Sequence, residues 1–369
     1  MQLTAITPYG NSGASSRVRV FDWLKHLGEP ADVHCYLGCA NNQPRTLARQ
    51  PVSTFIVERG LHRLLDAPIR TLMLHREASP LSKGRLEGAL LRRASLGVYD
   101  FDDALQWDHG HGGWSRRLAP KAEKCRQATV AADRVIAGNA NLADWASRLS
   151  RDVVVIPSCV EPSSYDVVSD FSVHDPPRIG WIGSPSTEHH LALAAPALLR
   201  MHQRTGARLT VISSGDRFLG DLDAMVDRVN WRADTFTDQL RRLDVAIAPL
   251  VGSQYAEGKC AYKILQYGAA GLPCLGSPLG ANAKALSTLG QAAATTSHEW
   301  DAHLERLLNA STTTRAALGR AGRTGVERHY SFTAWEGAMR TALGLGTSKA
   351  RMPRSTTDGE SRPLRIDVG

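Results

Sequence analysis

Asp244-Val245-Ala246-Ile247-Ala248-Pro249-Leu250, followed by Ala256-Glu257-Gly258-Lys259-Cys260-Ala261-Tyr262-Lys263-Ile264-Leu265-Gln266-Tyr267-Gly268-Ala269-Ala270-Gly271-Leu272-Pro273, is the stretch on which the fold turns. The first run is short, apolar and closed by proline, as a buried parallel strand is. Lys259–Ala270 reads as a helix. Gly271 supplies a left-handed cap and Pro273 does not continue the helix, leaving Pro273–Gly276 as the next strand. A helix that starts beyond a strand end offers free N–H groups and the positive end of its dipole. Lys259 and Lys263, four residues apart, would share one face of it, an arrangement suited to a diphosphate, with Gln266 on the following turn.

The same alternation of strand and helix extends in both directions, predicting parallel sheets covered by helices. Upstream in the same series lie strands at Arg178–Ile182, Leu209–Ser213 and Asp227–Trp231, and helices at Leu191–Thr205 and Thr235–Leu243. An earlier series reads as strands at Leu3–Thr7, Asp32–Leu37, Thr71–Leu74, Gly97–Tyr99, Arg134–Ala137 and Val153–Ile156. Helices fit Lys83–Arg93, Pro120–Ala132, Asn141–Arg148 and a segment from Val18 to Leu27 with Ser15 or Ser16 as its cap. Asp166–Pro177 is polar and proline-containing, as a linker is. Ala334–Leu343 is a last helix, and the Ser/Thr/Arg/Pro/Gly-rich tail beyond it is expected to be disordered.

The 369 residues suit two domains. With 43% apolar and 22% charged residues the composition is globular, and no apolar run has the ~18 residues of a membrane span. The N-terminus lacks the features of a secretory signal, and the six cysteines are scattered without a zinc-ligand set, so a reduced, cytoplasmic protein without a metal is expected. The net charge of +8 fits phosphates, nucleic acid or an anionic membrane. Zinc-finger and RNA-module signatures are absent, which argues against nucleic acid. Peripheral membrane contact is a possibility through the basic stretches Lys83–Arg93 and Arg116–Arg126.

Chemistry is expected in the loops after strands. Gly10 and Gly13 follow the first strand and allow close backbone approach. His75, Arg76 and Glu77 end the third. Asp100, Asp102 and Asp103 end the fourth, where they orient hydroxyls, act as a base or bind a cation; Asp102 or Asp103 is alternatively a helix cap.

Together these segments resemble family 4 glycosyltransferases over about residues 1–345. The resemblance is carried by Asp244–Leu250, Glu257-Gly258 and Ala269–Pro273. Further segments agree with it: Gly180–Thr187, Asp133–Asn139, Val153–Glu161, the Asp-rich Tyr99–Ala104 and the closing Tyr330-Ser331-Phe332. It implies two Rossmann-like α/β domains of GT-B type facing each other across a cleft: an acceptor domain, 1–165; a linker, 166–177; a donor domain, 178–330; a helix, 331–345, crossing back to the first domain; and a tail, 346–369. The activity implied is retaining transfer from a nucleotide sugar to a hydroxyl acceptor, with no cofactor and no metal. The same architecture also hosts sugar-nucleotide epimerases and suits a non-catalytic sugar-nucleotide-binding protein.

The family's donor site has two carboxylates eight positions apart; aligned here, those slots hold Gly258 and Gln266, with Glu257 one residue out of register. Ser184 stands where the family has an arginine. The resemblance therefore places the base near Trp231 and Arg232, the ribose near Gln266, and the diphosphate against Lys259, Lys263 and the loop holding Gly183, Ser184 and Ser186, with Gly258 and Tyr262 alongside. The acceptor falls near Gly13, Arg17 and Arg76, and His75, Asp100, Asp102, Asp103 and Glu257 are the catalytic candidates.

Overall fold

A computed structural model of the chain describes residues 3–38, 44–108 and 121–346. Two six-stranded parallel sheets form its frame. The first holds β1 (Leu3–Thr7), β2 (Ala31–Cys35), β3 (Thr71–His75), β4 (Leu96–Phe101), β5 (Arg134–Ala137) and β6 (Val153–Val155), in the order β2-β1-β3-β4-β5-β6. The second holds β7 (Arg178–Ile182), β8 (Arg208–Ser213), β9 (Val226–Asn230), β10 (Val245–Ala248), β11 (Cys274–Gly276) and β12 (Ala292–Ala293), in the order β12-β11-β10-β7-β8-β9. Helices cover both faces, so central strands such as Leu72-Met73-Leu74 and Val245-Ala246-Ile247 are buried without alternation. The second sheet has the strand order of dinucleotide-binding domains and the first the flavodoxin-like order. Their topological switch points, β1/β3 and β7/β10, are where such sheets bind ligands beyond the strand ends.

Several helices differ from the sequence reading. The helix after β1 starts at α1 (Ala14–Ser16) and runs through a wide π-turn, Arg17–Phe21, into α2 (Asp22–Leu27). Neither serine caps it; Gly13 is the N-cap residue. Ser16 is buried, and its Oγ accepts from the Thr7 hydroxyl at 2.5 Å and from Tyr9 N–H at 3.2 Å. Arg19, within the π-turn, is wholly buried. Next come α3 (Pro44–Arg49) and α4 (Pro51–Arg63), in a region where the sequence reading has no element.

In α5 (Arg85–Arg93), Leu86, Leu90 and Leu91 are buried in the core, so the apolar side assigned to membrane contact through Lys83–Arg93 is not available. The second basic stretch, Arg116–Arg126, lies outside the described residues up to Pro120. In α6 (Lys121–Ala131) Lys124 is buried on Glu77 and Arg126 pairs with Glu123. α7 (Ala140–Ala146) is capped by Asn139, whose Oδ1 accepts from Leu142 N–H at 3.0 Å.

In the second domain the segment from Leu191 is not one helix. A tight 3₁₀ stretch, Pro185–Leu193, precedes α8 (Ala195–Thr205), because Pro196 belongs in a first helical turn and not an interior one. After α9 (Phe236–Leu240), the expected helix Lys259–Ala270 is split into α10 (Gln254–Glu257) and α11 (Tyr262–Ala269). Ala261, at φ 57°, turns the chain between them, and Lys259 lies in the intervening loop. The end of α11 follows the reading, with Gly271 at φ 66°.

Three further helices, α12 (Ala281–Thr288), α13 (Ser297–Asn309) and α14 (Thr312–His329), complete this domain. On α14 a Cβ at Gly319 would lie 2.2 Å from the Gly271 carbonyl, so glycine there lets the helix approach the end of α11. Finally α15 (Phe332–Ala342) packs Phe332, Met339 and Ala342 with Leu3, Ala5 and Trp23 of the first domain. The tail read as disordered lies outside the described residues from 347 onward.

Candidate active site

The ends of β1, β3 and β4 carry a connected set of charged and polar side chains. Arg19 donates to Asp100 through both Nε and Nη2, and to the carbonyls of Ile156 at 2.8 Å and Pro157 at 2.9 Å. Asp100 Oδ2 lies 2.6 Å from His75 Nδ1, and His75 Nε2 lies 2.7 Å from Ser15 Oγ. Ser15 in turn reaches both oxygens of Asp102, at 3.0 and 3.1 Å. Asp102 accepts from Arg76 Nε at 2.7 Å, and Arg76 also pairs with Asp103.

Arg19, His75 and Asp100 are wholly buried, whereas the Asp102 carboxylate keeps 12% of its surface exposed. Burial would raise the Asp100 pKa, but Arg19 and His75 outweigh it and hold the carboxyl below its ordinary value. Asp102 is likewise pushed up by burial and brought below its ordinary value by Arg76, His75 and Arg19. The interleaved arginines thus remove the repulsion that three adjacent acids would otherwise suffer. Arg76 sits at φ 61°, uncommon for a residue with a side chain; its backbone is fixed by Asp100 O, which accepts its N–H at 2.9 Å, and by the Tyr99 hydroxyl, which donates to its carbonyl at 3.0 Å.

The β7/β10 switch point presents a cationic group. The Lys263 ammonium lies 5.2 Å from the centre of the Trp181 ring, and its chain crosses Gly183, where a Cβ would stand 2.8 Å from Lys263 Cε. Burial, with Lys259 nearby, pushes the Lys263 pKa down to about 7. No carboxylate among the described residues is within ion-pair distance of it. Beside it stands His190, pushed down to about 4 by burial, His189, Lys259 and Lys263, with Nδ1 accepting from Val251 N–H at 3.2 Å. After β7, Ser184 Oγ is 3.0 Å from Ser186 Oγ at the start of the Pro185–Leu193 turn.

The two halves meet at the α10–α11 loop. Asn139 Nδ2 donates to Gly258 O at 2.8 Å, Asn141 Nδ2 to Glu257 O at 3.2 Å, and Cys260 Sγ to Asp102 O at 3.1 Å. Lys259 Nζ lies 3.6 Å from Asp103 Oδ1. Farther along the cleft, the Arg17 guanidinium sits 4.9 Å from the centre of the Trp231 ring, which stacks on Phe236.

His75, Arg76, Asp100, Asp102 and Asp103 therefore come together, and Lys259 and Lys263 flank the cleft, although not along one helical face. Gly183 lies against Lys263, and Ser184 and Ser186 follow it in the loop after β7. Gly258 is packed against Ala104, where a Cβ would lie 2.4 Å from the Ala104 Cβ. Other candidates sit differently from their expected places. Glu257 is exposed, Arg232 is exposed and forks onto Asp234, and Gln266 and Tyr262 lie against the Tyr165 hydroxyl. The Gly13 N–H bonds Gly10 O at 2.9 Å and so is not directed at a ligand. The sequence reading missed Arg19, His190 and Asn139 as site residues and took Ser15 only for a cap. The available signals were an arginine among the apolar residues Val18, Val20 and Phe21, and a His-His pair just after the donor-domain loop.

No protein-family model and no curated protein matches the chain. Among solved structures it is similar to Anabaena HepE in complex with UDP and glucose, with TM-score 0.65 and 14% identity over 93% of this chain and 99% of that one. It is similar to WaaG, a glycosyltransferase involved in lipopolysaccharide biosynthesis, with TM-score 0.65 and 12% identity over 93% and 99%. It also resembles sucrose-phosphate synthase from Thermosynechococcus elongatus, with TM-score 0.63 and 14% identity over 92% and 97%. The chain thus has the GT-B fold, two Rossmann-like domains facing each other, that these glycosyltransferases share.

Proposed function

We propose that this protein is a glycosyltransferase that moves a sugar from a nucleoside-diphosphate sugar to a hydroxyl acceptor, with retention of configuration. The observation that carries the reading is Lys263: a half-buried ammonium without a carboxylate partner, held over Gly183 at the switch point of a dinucleotide-type sheet. HepE, of the same fold, binds UDP-glucose, which makes uridine donors the first to try.

In this reading the diphosphate lies against Lys263, Lys259 and the Gly183–Ser186 loop, which take the charge that develops as the sugar leaves; no metal is assigned that part. The nucleoside extends toward Trp231, displacing Arg17 from its ring. Asp102, partly exposed and fixed by Ser15 and Arg76, orients the acceptor hydroxyl, and the departing phosphate takes its proton. Parting of the Asn139–Gly258 and Lys259–Asp103 contacts admits the donor, and their return excludes water.

The test is product analysis by NMR with a panel of nucleotide sugars and hydroxyl acceptors. Acceptor-dependent release of nucleoside diphosphate with an unchanged anomeric configuration is expected. Conversion of the donor sugar itself without acceptor would identify an epimerase instead, and binding without turnover across the panel would identify a non-catalytic receptor.

A further inference from the structure

The outer face of α4 belongs to neither the core nor the cleft. Val52, Phe55 and Ile56 are 70%, 65% and 52% exposed there. At helical spacing Val52, Phe55, Ile56, Arg59 and Arg63 fall on one side, while Leu61 turns into the core. Three adjacent large apolar side chains on one turn form a patch, unlike the scattered exposed residues of an ordinary surface.

Within α4 the exposed charge on this face is cationic, with exposed Asp66 three residues beyond the helix end. Arg59 and Arg63 are exposed on the same side, one to two turns beyond the patch, and exposed Arg49 precedes the helix. Arg93 adds a guanidinium at the far end, where its Nε donates to Leu65 O at 2.9 Å. The helix's single acid, Glu58, points inward, accepting from the Tyr36 hydroxyl at 2.8 Å and bonding Ser79. An apolar ridge continued by arginines, with its acid withdrawn, complements a surface that is apolar below and anionic above. A second copy of the same cationic face would repel it.

We propose that α4 is an interfacial docking helix that seats the first domain on an anionic lipid bilayer, with Val52, Phe55 and Ile56 entering the acyl boundary and Arg59 and Arg63 meeting the headgroups. Because α4 follows β2 and leads back into β3, it runs antiparallel to the strands, so its apolar end lies toward the cleft edge of the sheet. Docking through it brings the cleft mouth close to the membrane plane. The inference is independent of the reaction catalysed, since docking needs no donor and is read without one.

The test is vesicle flotation of the full chain with phosphatidylcholine alone and with phosphatidylcholine plus phosphatidylglycerol. Binding only to the anionic vesicles, weakened by salt, is expected. Phe55→Glu with Ile56→Glu should reduce the partition coefficient by about tenfold or more, as should Arg59→Gln with Arg63→Gln, each arginine near the surface being worth close to a factor of five. These side chains are exposed, so an unchanged melting temperature is expected of both variants. Failure of the wild-type chain to float with anionic vesicles overturns the proposal, as does undiminished flotation of Phe55→Glu/Ile56→Glu. A dimer by light scattering that dissociates in that variant would assign the face to a second copy and also overturn it.

Discussion

Lys263 Cε stands 2.8 Å from the point that a Cβ at Gly183 would occupy, so the lysine reaches the β7/β10 crevice only because residue 183 has no side chain. The same Cβ would meet the ring of wholly buried Trp181 at 2.5 Å. Gly183→Ala is therefore expected to destabilise the protein by about 1–3 kcal/mol through overpacking. It should also weaken nucleoside-diphosphate binding while Lys263 is intact. Thermal denaturation and calorimetry on the same variant check both parts.

Lys263 also makes a pH prediction. Its folded-state pKa, about 7, is below that of the unfolded chain, so between pH 7 and the ordinary lysine range the unfolded state holds more protons. This group's contribution to stability accordingly rises with pH across that window. Diphosphate affinity runs the other way, falling above about pH 7 as the ammonium loses its proton. Lys263→Met should flatten both dependences and stabilise the free protein by about 1–2 kcal/mol at pH 7. Urea titrations and nucleotide binding at several pH values distinguish the two trends.

Asp100 joins β4 to the π-turn Arg17–Phe21 through wholly buried Arg19. Asp100→Asn leaves that guanidinium uncompensated and should cost about 3–5 kcal/mol. The folded Asp100 pKa is lowered, so its stabilisation is full above the unfolded carboxylate pKa and is lost as pH falls through that value toward the folded one. The variant should show a shallower acid limb in its stability curve, read by denaturant unfolding from neutral pH downward.

Asp102 is a separable case, since its carboxylate is partly exposed and aimed at the cleft. Asp102→Asn keeps the bulk and is expected to lower transfer about 10²-fold while leaving nucleotide affinity within about twofold. Single-turnover rates and calorimetry with the nucleoside diphosphate measure the two quantities separately.

Gly258 sets how closely the halves approach, because a Cβ there would lie 2.4 Å from Ala104 Cβ. Gly258→Val should hold the cleft open, raising the radius of gyration in small-angle scattering and lowering transfer about tenfold or more without abolishing nucleotide binding.

The sheets were legible in the sequence because parallel strands buried on both faces make short apolar runs. Of the twelve strands among the described residues, the reading lacks only two-residue β12, too short to carry a pattern. Helices were harder. α14 packs through Gly319 and Gly322 rather than through large apolar side chains, so it shows little of the periodicity that marks an amphipathic helix. The start of α13 carried a signal that the reading did not use, for Thr296 and Glu299 form a capping box. At the site, the acids and His75 were recognisable from their place after strands. Arg19 was not, because its role depends on a π-turn that the sequence does not announce and on a carboxylate 81 residues away. Likewise, the left-handed Ala261 that separates Lys259 from α11 is a conformation alanine rarely adopts, and helix propensity points past it.

A diphosphate held at Lys263 in the second domain is what the proposed transfer depends on. Thermal-shift titration with UDP, GDP, ADP and dTDP, on the wild-type chain and on Lys263→Met, tests it most directly. One nucleotide should stabilise the wild-type protein by ~2.7 kcal/mol at a hundred times its dissociation constant, and the same nucleotide should do so far less for the variant. Equal stabilisation of both proteins, or none by any of the four, would contradict it.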